Sequence, residues 1–210
     1  MPAAGTRPIR LRRETKETRV DILLDLWPQQ RRVRVDTGIG FLDHMVETLA
    51  YYAGWHLEAR VEETRRIDDH HVAEDLMLAL GNAIHTLLDQ IGWSIARFGW
   101  AIIPMDEALV LASIDASGRP GAWINLGLTR ETIGGLATEN IPHMLSSLAA
   151  SSHMTIHVEK IRGENNHHIA EAAFKATGIA LNQALKPAKQ PPSTKGTIKP
   201  KTTITGKPET

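Results

Sequence analysis

The chain has 210 residues, enough for one large domain or two small ones, and 42% of them are hydrophobic, enough for a packed core. Lys and Arg total 24 and Asp and Glu total 24, so with neutral histidine no net charge favours nucleic acid or an acidic membrane as partner. Cysteine is absent, which excludes disulfides and thiolate metal sites. No apolar run is long enough to span a bilayer, and the basic stretch from Met1 to Arg13 lacks the apolar core of a secretory signal. A cytoplasmic protein is expected, without a membrane or nucleic-acid partner.

In chain order, residues 1–13 read as a flexible lead. Glu17 to Asp25 alternates as a strand, Arg31 to Val35 is a second short strand, and Thr37-Gly38-Ile39-Gly40 is turn chemistry. Phe41, Met45, Leu49 and Tyr52 fall at helical spacing, with Gly54 as a stop. Trp55 to Val61 alternates again. Asp68 or Asp69 suits the N-cap of a helix running from His70 to about Ile91. Residues 91–104 join this half to the next and include a strand. Glu107 to Asp115 then matches the first strand, with Glu and Asp again eight apart, and Trp123 to Leu128 reads as a further strand. His143-Met144 matches His44-Met45 at the start of a helix, Met154 to Lys160 alternates, and His167 to about Leu185 is the second long helix. Gly178 follows His167 by the interval at which Gly81 follows His70. A shared order of motifs at near-equal spacing indicates a duplication. Each half reads ββαβα, an α+β architecture with helices on one face of each sheet and the halves packed together. The expected boundaries are 14–96 for the first half and 97–186 for the second. From Lys186 onward Pro, Lys, Thr and Ser dominate, which predicts a tail, 198–210 being disordered.

The chemistry concentrates in two copies of one motif. Asp69-His70-His71-Val72-Ala73-Glu74 and Asn166-His167-His168-Ile169-Ala170-Glu171 each set HHxxE at the start of a helix. Four residues apart on a helix, His70 and Glu74 share a face, while His71 is turned about 100° away. One helix start can therefore give a His and a Glu to one metal and its second His to another. His44 and His143 would each complete a set. The candidate ligands are His44, His70, His71, Glu74, His143, His167, His168 and Glu171, and imidazole with carboxylate suits divalent manganese, iron, zinc or nickel. Alone, either HHxxE could be polar helix-capping sequence; two copies, each with an upstream His-Met, argue against that. His56, His85, His153 and His157 have no such pattern.

These residues carry a resemblance. With Arg13-Glu14-Thr15-Lys16-Glu17-Thr18, Thr37-Gly38-Ile39-Gly40-Phe41-Leu42-Asp43-His44-Met45, Pro104-Met105-Asp106-Glu107-Ala108-Leu109, Ser117-Gly118-Arg119-Pro120 and Pro192-Ser193-Thr194-Lys195-Gly196, the chain resembles the imidazoleglycerol-phosphate dehydratases of histidine biosynthesis. The motifs run in family order from about residue 10 to 197. The resemblance implies dehydration of imidazole glycerol phosphate to imidazole acetol phosphate, two Mn²⁺ ions per site, and a homo-oligomer of 24 subunits built from trimers with sites between subunits. It also implies a catalytic carboxylate at Glu17 and phosphate binding at Arg97 and Arg119. Lys175 lies four after Glu171 on the same helix face, where the repeat counterpart is Leu78, and is expected to act on substrate. Ser193 and Lys195 in the tail segment 187–197 are expected to extend the phosphate cradle. Asp106 and Glu107 sit at the repeat counterpart of Glu17, so Asp106 is a second acid–base candidate. Thr48, Val72 and Tyr52 or its neighbour depart from the family pattern, as does the absence of a Gly-Asp before Asp68; none removes a ligand.

In the implied reaction no carbonyl acidifies the carbon that loses its proton, so the substrate imidazole must relay electrons. An imidazolate held between two metals would do so. Two rival readings use the same ligands: a dinuclear metallohydrolase of phosphatase type, and a structural or storage metal protein without turnover.

Overall fold

Alternation of apolar side chains builds two sheets, and the helices between them supply the core. The computed structural model describes residues 8–65 and 67–188. Its first half is β1 (Ile9–Glu14), β2 (Thr18–Asp25), β3 (Val33–Asp36), α1 (Gly40–Ala53), β4 (His56–Glu63) and α2 (Asp69–Gln90). The second is β5 (Phe98–Met105), β6 (Ala108–Asp115), β7 (Gly121–Asn125), a small hairpin of β8 (Thr132–Ile133) and β9 (Leu136–Ala137), α3 (Asn140–Ser152), β10 (Thr155–Arg162) and α4 (Asn166–Ala184).

The strand orders, β1-β2-β4-β3 and β5-β6-β10-β7, are the same order twice. In both sheets the first three strands pair antiparallel and the last joins in parallel. The duplication read from the motifs therefore extends to topology. Each four-stranded sheet has one strand beyond the ββαβα order, β1 in the first half and β5, the strand expected within 91–104, in the second, and the second half adds the β8–β9 hairpin. Residues 9–13, expected as part of a flexible lead, instead form most of β1, which pairs with β2 from Ile9↔Leu24 to Glu14↔Arg19. Ile9 and Leu11 turn inward, and so does Arg13, whose charge disguises the alternation.

In β2 the inward residues Val20, Ile22 and Leu24 are buried, and in β6 Ala108, Val110, Ala112 and Ile114 are. Against these faces α2 packs on β1 and β2, and α4 on β5 and β6. Across the middle of the molecule α2 packs on α3 and α1 on α4. The two glycines at matched intervals mark these crossings. A Cβ on Gly81 would lie 1.9 Å from Ser151 Oγ, and one on Gly178 would lie 2.6 Å from the Leu49 carbonyl oxygen. A side chain at either position would force the helices apart. Gly54 ends α1 in the left-handed region at φ 79°, as expected; at the matching end of α3 His153 takes φ 57°. Among the described residues no helix is long and apolar enough to cross a membrane.

Gly178→Ala should lower stability by about 1–3 kcal/mol, outweighing the roughly 1 kcal/mol gained in helix propensity. A thermal melt checks this, and an unchanged or raised Tm would contradict the close α1–α4 contact.

Candidate metal centre

Both long helices begin in the same way. Asp68 caps α2 and Asn165 caps α4, each side chain accepting the amide of the first histidine of the pair, at 3.1 Å for His70 and 2.9 Å for His167. These caps fix where each helix starts, and so which face His70 with Glu74, and His167 with Glu171, present. The Ala137 amide donates to Asp69 and the Thr129 and Arg130 amides donate to Asn166, tying loops of the second half to both helix starts.

Two three-residue groups result. His70, Glu74 and His143 form one and His44, His167 and Glu171 the other, with the ligand atoms of each within 4.8 Å of one another. In the first, His143 Nε2 lies 3.3 Å from Glu74 Oε1 and the His70 and His143 rings stack at 4.6 Å. In the second, Glu171 Oε2 faces His167 Nε2 at 3.2 Å and His44 Nε2 at 3.7 Å. Each group joins an HHxxE helix to the His-Met helix of the other half, because α2 packs on α3 and α4 on α1.

His71 and His168 turn away from their neighbours' groups. His71 Nδ1 lies 3.2 Å from Glu17 Oε2, and His168 Nδ1 lies 2.7 Å from Glu107 Oε2. Within one chain each group thus holds three ligands rather than the four expected per metal. Where a carboxylate or amide oxygen takes the Nδ1 proton, Nε2 keeps its lone pair for a metal. The same logic applies to His70, whose Nδ1 lies 2.9 Å from the oxygen of Asn140, a residue only 1% exposed. This donor set fits a divalent ion of borderline softness.

Glu17 and Glu107 occupy repeat-related turns but are used differently. Glu107 also accepts the Glu164 and Asn165 amides, at 3.2 and 2.8 Å. Its hydrogen bond with His168, then those amides, lower its pKa to about 2, while the same bond raises that of His168. Asp106 is exposed and lies 3.6 Å from His168 Nε2. Glu17 sits in a turn braced by a network that sequence reading missed. Buried Asp75 receives Arg13 Nη2 at 2.8 Å and the hydroxyl of Thr18, and Thr15 Oγ1 accepts the Glu17 amide at 3.1 Å. The inward placement of Arg13 was its only signal.

Lys175 lies on the same face of α4 as Glu171 and donates to Glu171 Oε1 at 2.9 Å. Burial pushes the Glu171 carboxyl up, but this lysine and the histidines His44 and His167 together outweigh it and hold the pKa below the usual range. Lys175 and Glu171 line an open groove of about 340 Å³ with Thr48 and Tyr52. A larger concavity, about 700 Å³ on the outer face of the first sheet, is lined by Arg10, Arg12, Arg34 and Arg60 with Asp21, Asp36 and Glu58, and contains none of these ligands.

The two arginines expected to bind phosphate meet elsewhere. Arg97 makes a two-pronged contact with Asp115, Nε at 2.6 Å and Nη2 at 3.0 Å, and Arg119 reaches the same carboxylate at 3.5 Å. The Arg97 amide donates to the Ala184 carbonyl at the C-terminal end of α4. At 1.5 Å per residue that end lies roughly 20 Å from Glu171. The structure therefore does not bring Arg97 and Arg119 to the metal groups of the same chain. Ser193 and Lys195 lie outside the described residues.

Geometry and fold together define a duplicated α+β protein with two His/carboxylate groups suited to metal, each shared between the halves. Residues 37–181 match the family model "Imidazoleglycerol-phosphate dehydratase". The imidazoleglycerol-phosphate dehydratase of Caldivirga maquilingensis is 51% identical over 175 residues, 83% of this chain and 89% of that protein. The one from Saccharolobus solfataricus is 46% identical over 182 residues, 86% and 93% of the two chains. A crystal structure of IGPD from Pyrococcus furiosus in complex with (S)-C348 superposes with a TM-score of 0.75 at 37% identity, covering 90% of this chain and all of that one. The chain belongs to the imidazoleglycerol-phosphate dehydratase family, and is a hydro-lyase.

In metal-free protein the His168 ring should titrate above the ordinary imidazole value of about 6.5, and Glu107→Gln should bring it down. A raised histidine pKa contributes stability below its ordinary value that is lost as pH rises through the raised one. A depressed carboxyl contributes above its ordinary value, and loses that contribution as pH falls towards about 2. The pair should therefore be strongest in mildly acidic solution. An NMR titration of His168 that Glu107→Gln leaves unmoved would contradict it.

Proposed function

We propose that the chain converts imidazole glycerol phosphate to imidazole acetol phosphate in histidine biosynthesis, with Mn²⁺ as the ion of both groups. The observation that carries this reading is the pair of groups with identical donors, two histidines and one glutamate, each shared between the two halves. A substrate imidazole has two ring nitrogens, and two like ions would meet them alike. When bound, the ions would supply Lewis-acid stabilisation of negative charge on the ring. His70, Glu74 and His143 would hold one, and His44, His167 and Glu171 the other.

The chain's own groups do the rest. Glu17 moves the proton at its carboxylate, since its repeat counterpart Glu107 is committed to two backbone amides and His168. His71 keeps Glu17 oriented. Asp106, exposed beside His168, is the reserve acid–base group. Lys175, beside Glu171 in the groove, contacts the substrate. Arg97 and Arg119, with Ser193 and Lys195, cradle the phosphate, for which the planar guanidinium is well matched.

A complete site needs more than one copy. His71 and His168 are left over from their own groups, and the phosphate arginines lie at the far end of α4. Sites between subunits satisfy both, with His71 and His168 supplying a neighbour's fourth ligand. Phe98, Trp100, Ile102 and Trp123, exposed on the outer face of the second sheet, are apolar surface suited to such an assembly. The family resemblance suggests 24 subunits built from trimers.

Incubation with Mn²⁺ and imidazole glycerol phosphate should release the ketone and no free phosphate. Phosphate release would favour the hydrolase reading, and neither product would favour metal storage. Glu17→Gln should keep its metal and lose roughly 10²-fold or more in kcat. Near-normal turnover would move the proton-transfer role to Asp106 or Glu107.

A further inference from the structure

The two metal groups have identical donors but different surroundings, and the differences fall at matched positions of the repeat. Three residues before His143 stands Asn140; three before His44 stands Phe41. Four residues after Glu171 stands Lys175; four after Glu74 stands Leu78. Asn140, buried, takes the Nδ1 proton of His70. That fixes the ring's tautomer and orientation and makes Nε2 a better donor. Phe41 packs its ring 5.1 Å from that of His167 and carries no acceptor. Lys175 occupies Glu171 Oε1 at 2.9 Å, while Oε2 faces the two histidines of the group. Its charge competes for the ligand's electron density and repels a cation. Glu74 has no such neighbour at Leu78, and its side chain is 34% exposed against 12% for Glu171.

From this broken symmetry we infer that the two groups are unequal: the His70–Glu74–His143 group is a tight, resident metal site, and the His44–His167–Glu171 group is a weaker one that exchanges first. The inference rests on the two-ion reading proposed above. The donors are alike in type on both sides, and a fourth ligand from a neighbour would be a histidine in either case. The difference in affinity therefore lies in Asn140 and Lys175. A lysine beside one group keeps that ion replaceable as metal supply varies, while the other ion stays bound.

The test is a metal-retention curve. Mn²⁺-loaded full-length protein is equilibrated against a series of chelator-buffered free Mn²⁺ concentrations, and manganese per chain is measured by elemental analysis. Two steps are expected, with a plateau near one ion per chain and midpoints separated by roughly tenfold or more. His70→Ala should remove the tight step, and His167→Ala the loose one. Lys175→Leu, which installs the repeat counterpart, should move the loose midpoint to lower free Mn²⁺ by about tenfold. Leu78→Lys, at a partly exposed position, should loosen the tight step. Two ions leaving in one step would overturn the inference and leave the two-ion reading intact. Two steps with their assignment reversed, or a loose midpoint unmoved by Lys175→Leu, would also overturn it. Protein that binds no manganese at all overturns both.

Discussion

The site depends on where two helices begin. A histidine and a glutamate four residues apart act together only if the helix is in phase with the partner that supplies the third ligand. Asp68 and Asn165 set that phase by accepting the amides of His70 and His167. The partner is set in turn by the close crossings at Gly81 and Gly178, which bring α3 against α2 and α1 against α4. Cap and crossing together put His143 beside Glu74 and His44 beside Glu171. The duplication thus makes two groups from one design, each shared between the halves.

Much of this was legible in the sequence because it rests on spacing. The repeated HHxxE, the matched His-Met pairs, and the glycines at equal intervals are local patterns whose meaning survives without coordinates. Of the two extra strands, β5 was legible as the strand expected within residues 91–104, but β1 was not. Outward Arg10 and Arg12 and inward Arg13 leave β1 with only two apolar signals, Ile9 and Leu11. β5 is interrupted by Gly99, which α4 approaches so closely that a Cβ would lie 1.9 Å from the Ala180 carbonyl oxygen. Small size there reflects a neighbour that the sequence does not reveal.

The supporting residues were also hidden, for a different reason. Asn140 and Asp75 act on partners 70 and 62 positions away, His70 and Arg13, and no local pattern marks such pairs. Nor could spacing show that Arg97 and Arg119 would converge on Asp115, far from the ligands of the same chain. Under the proposed function, that separation would make assembly part of the chemistry. A substrate spanning ring and phosphate would be held by more than one copy, with Arg97 and Arg119 of one chain facing ligands of another.

The account stands or falls on where the ions sit. Crystals grown with Mn²⁺ and measured near the manganese absorption edge should give two anomalous peaks per chain, one coordinated by His70, Glu74 and His143 and the other by His44, His167 and Glu171. A histidine from a neighbouring copy should complete each. A single peak, or peaks away from these residues, would contradict the paired site.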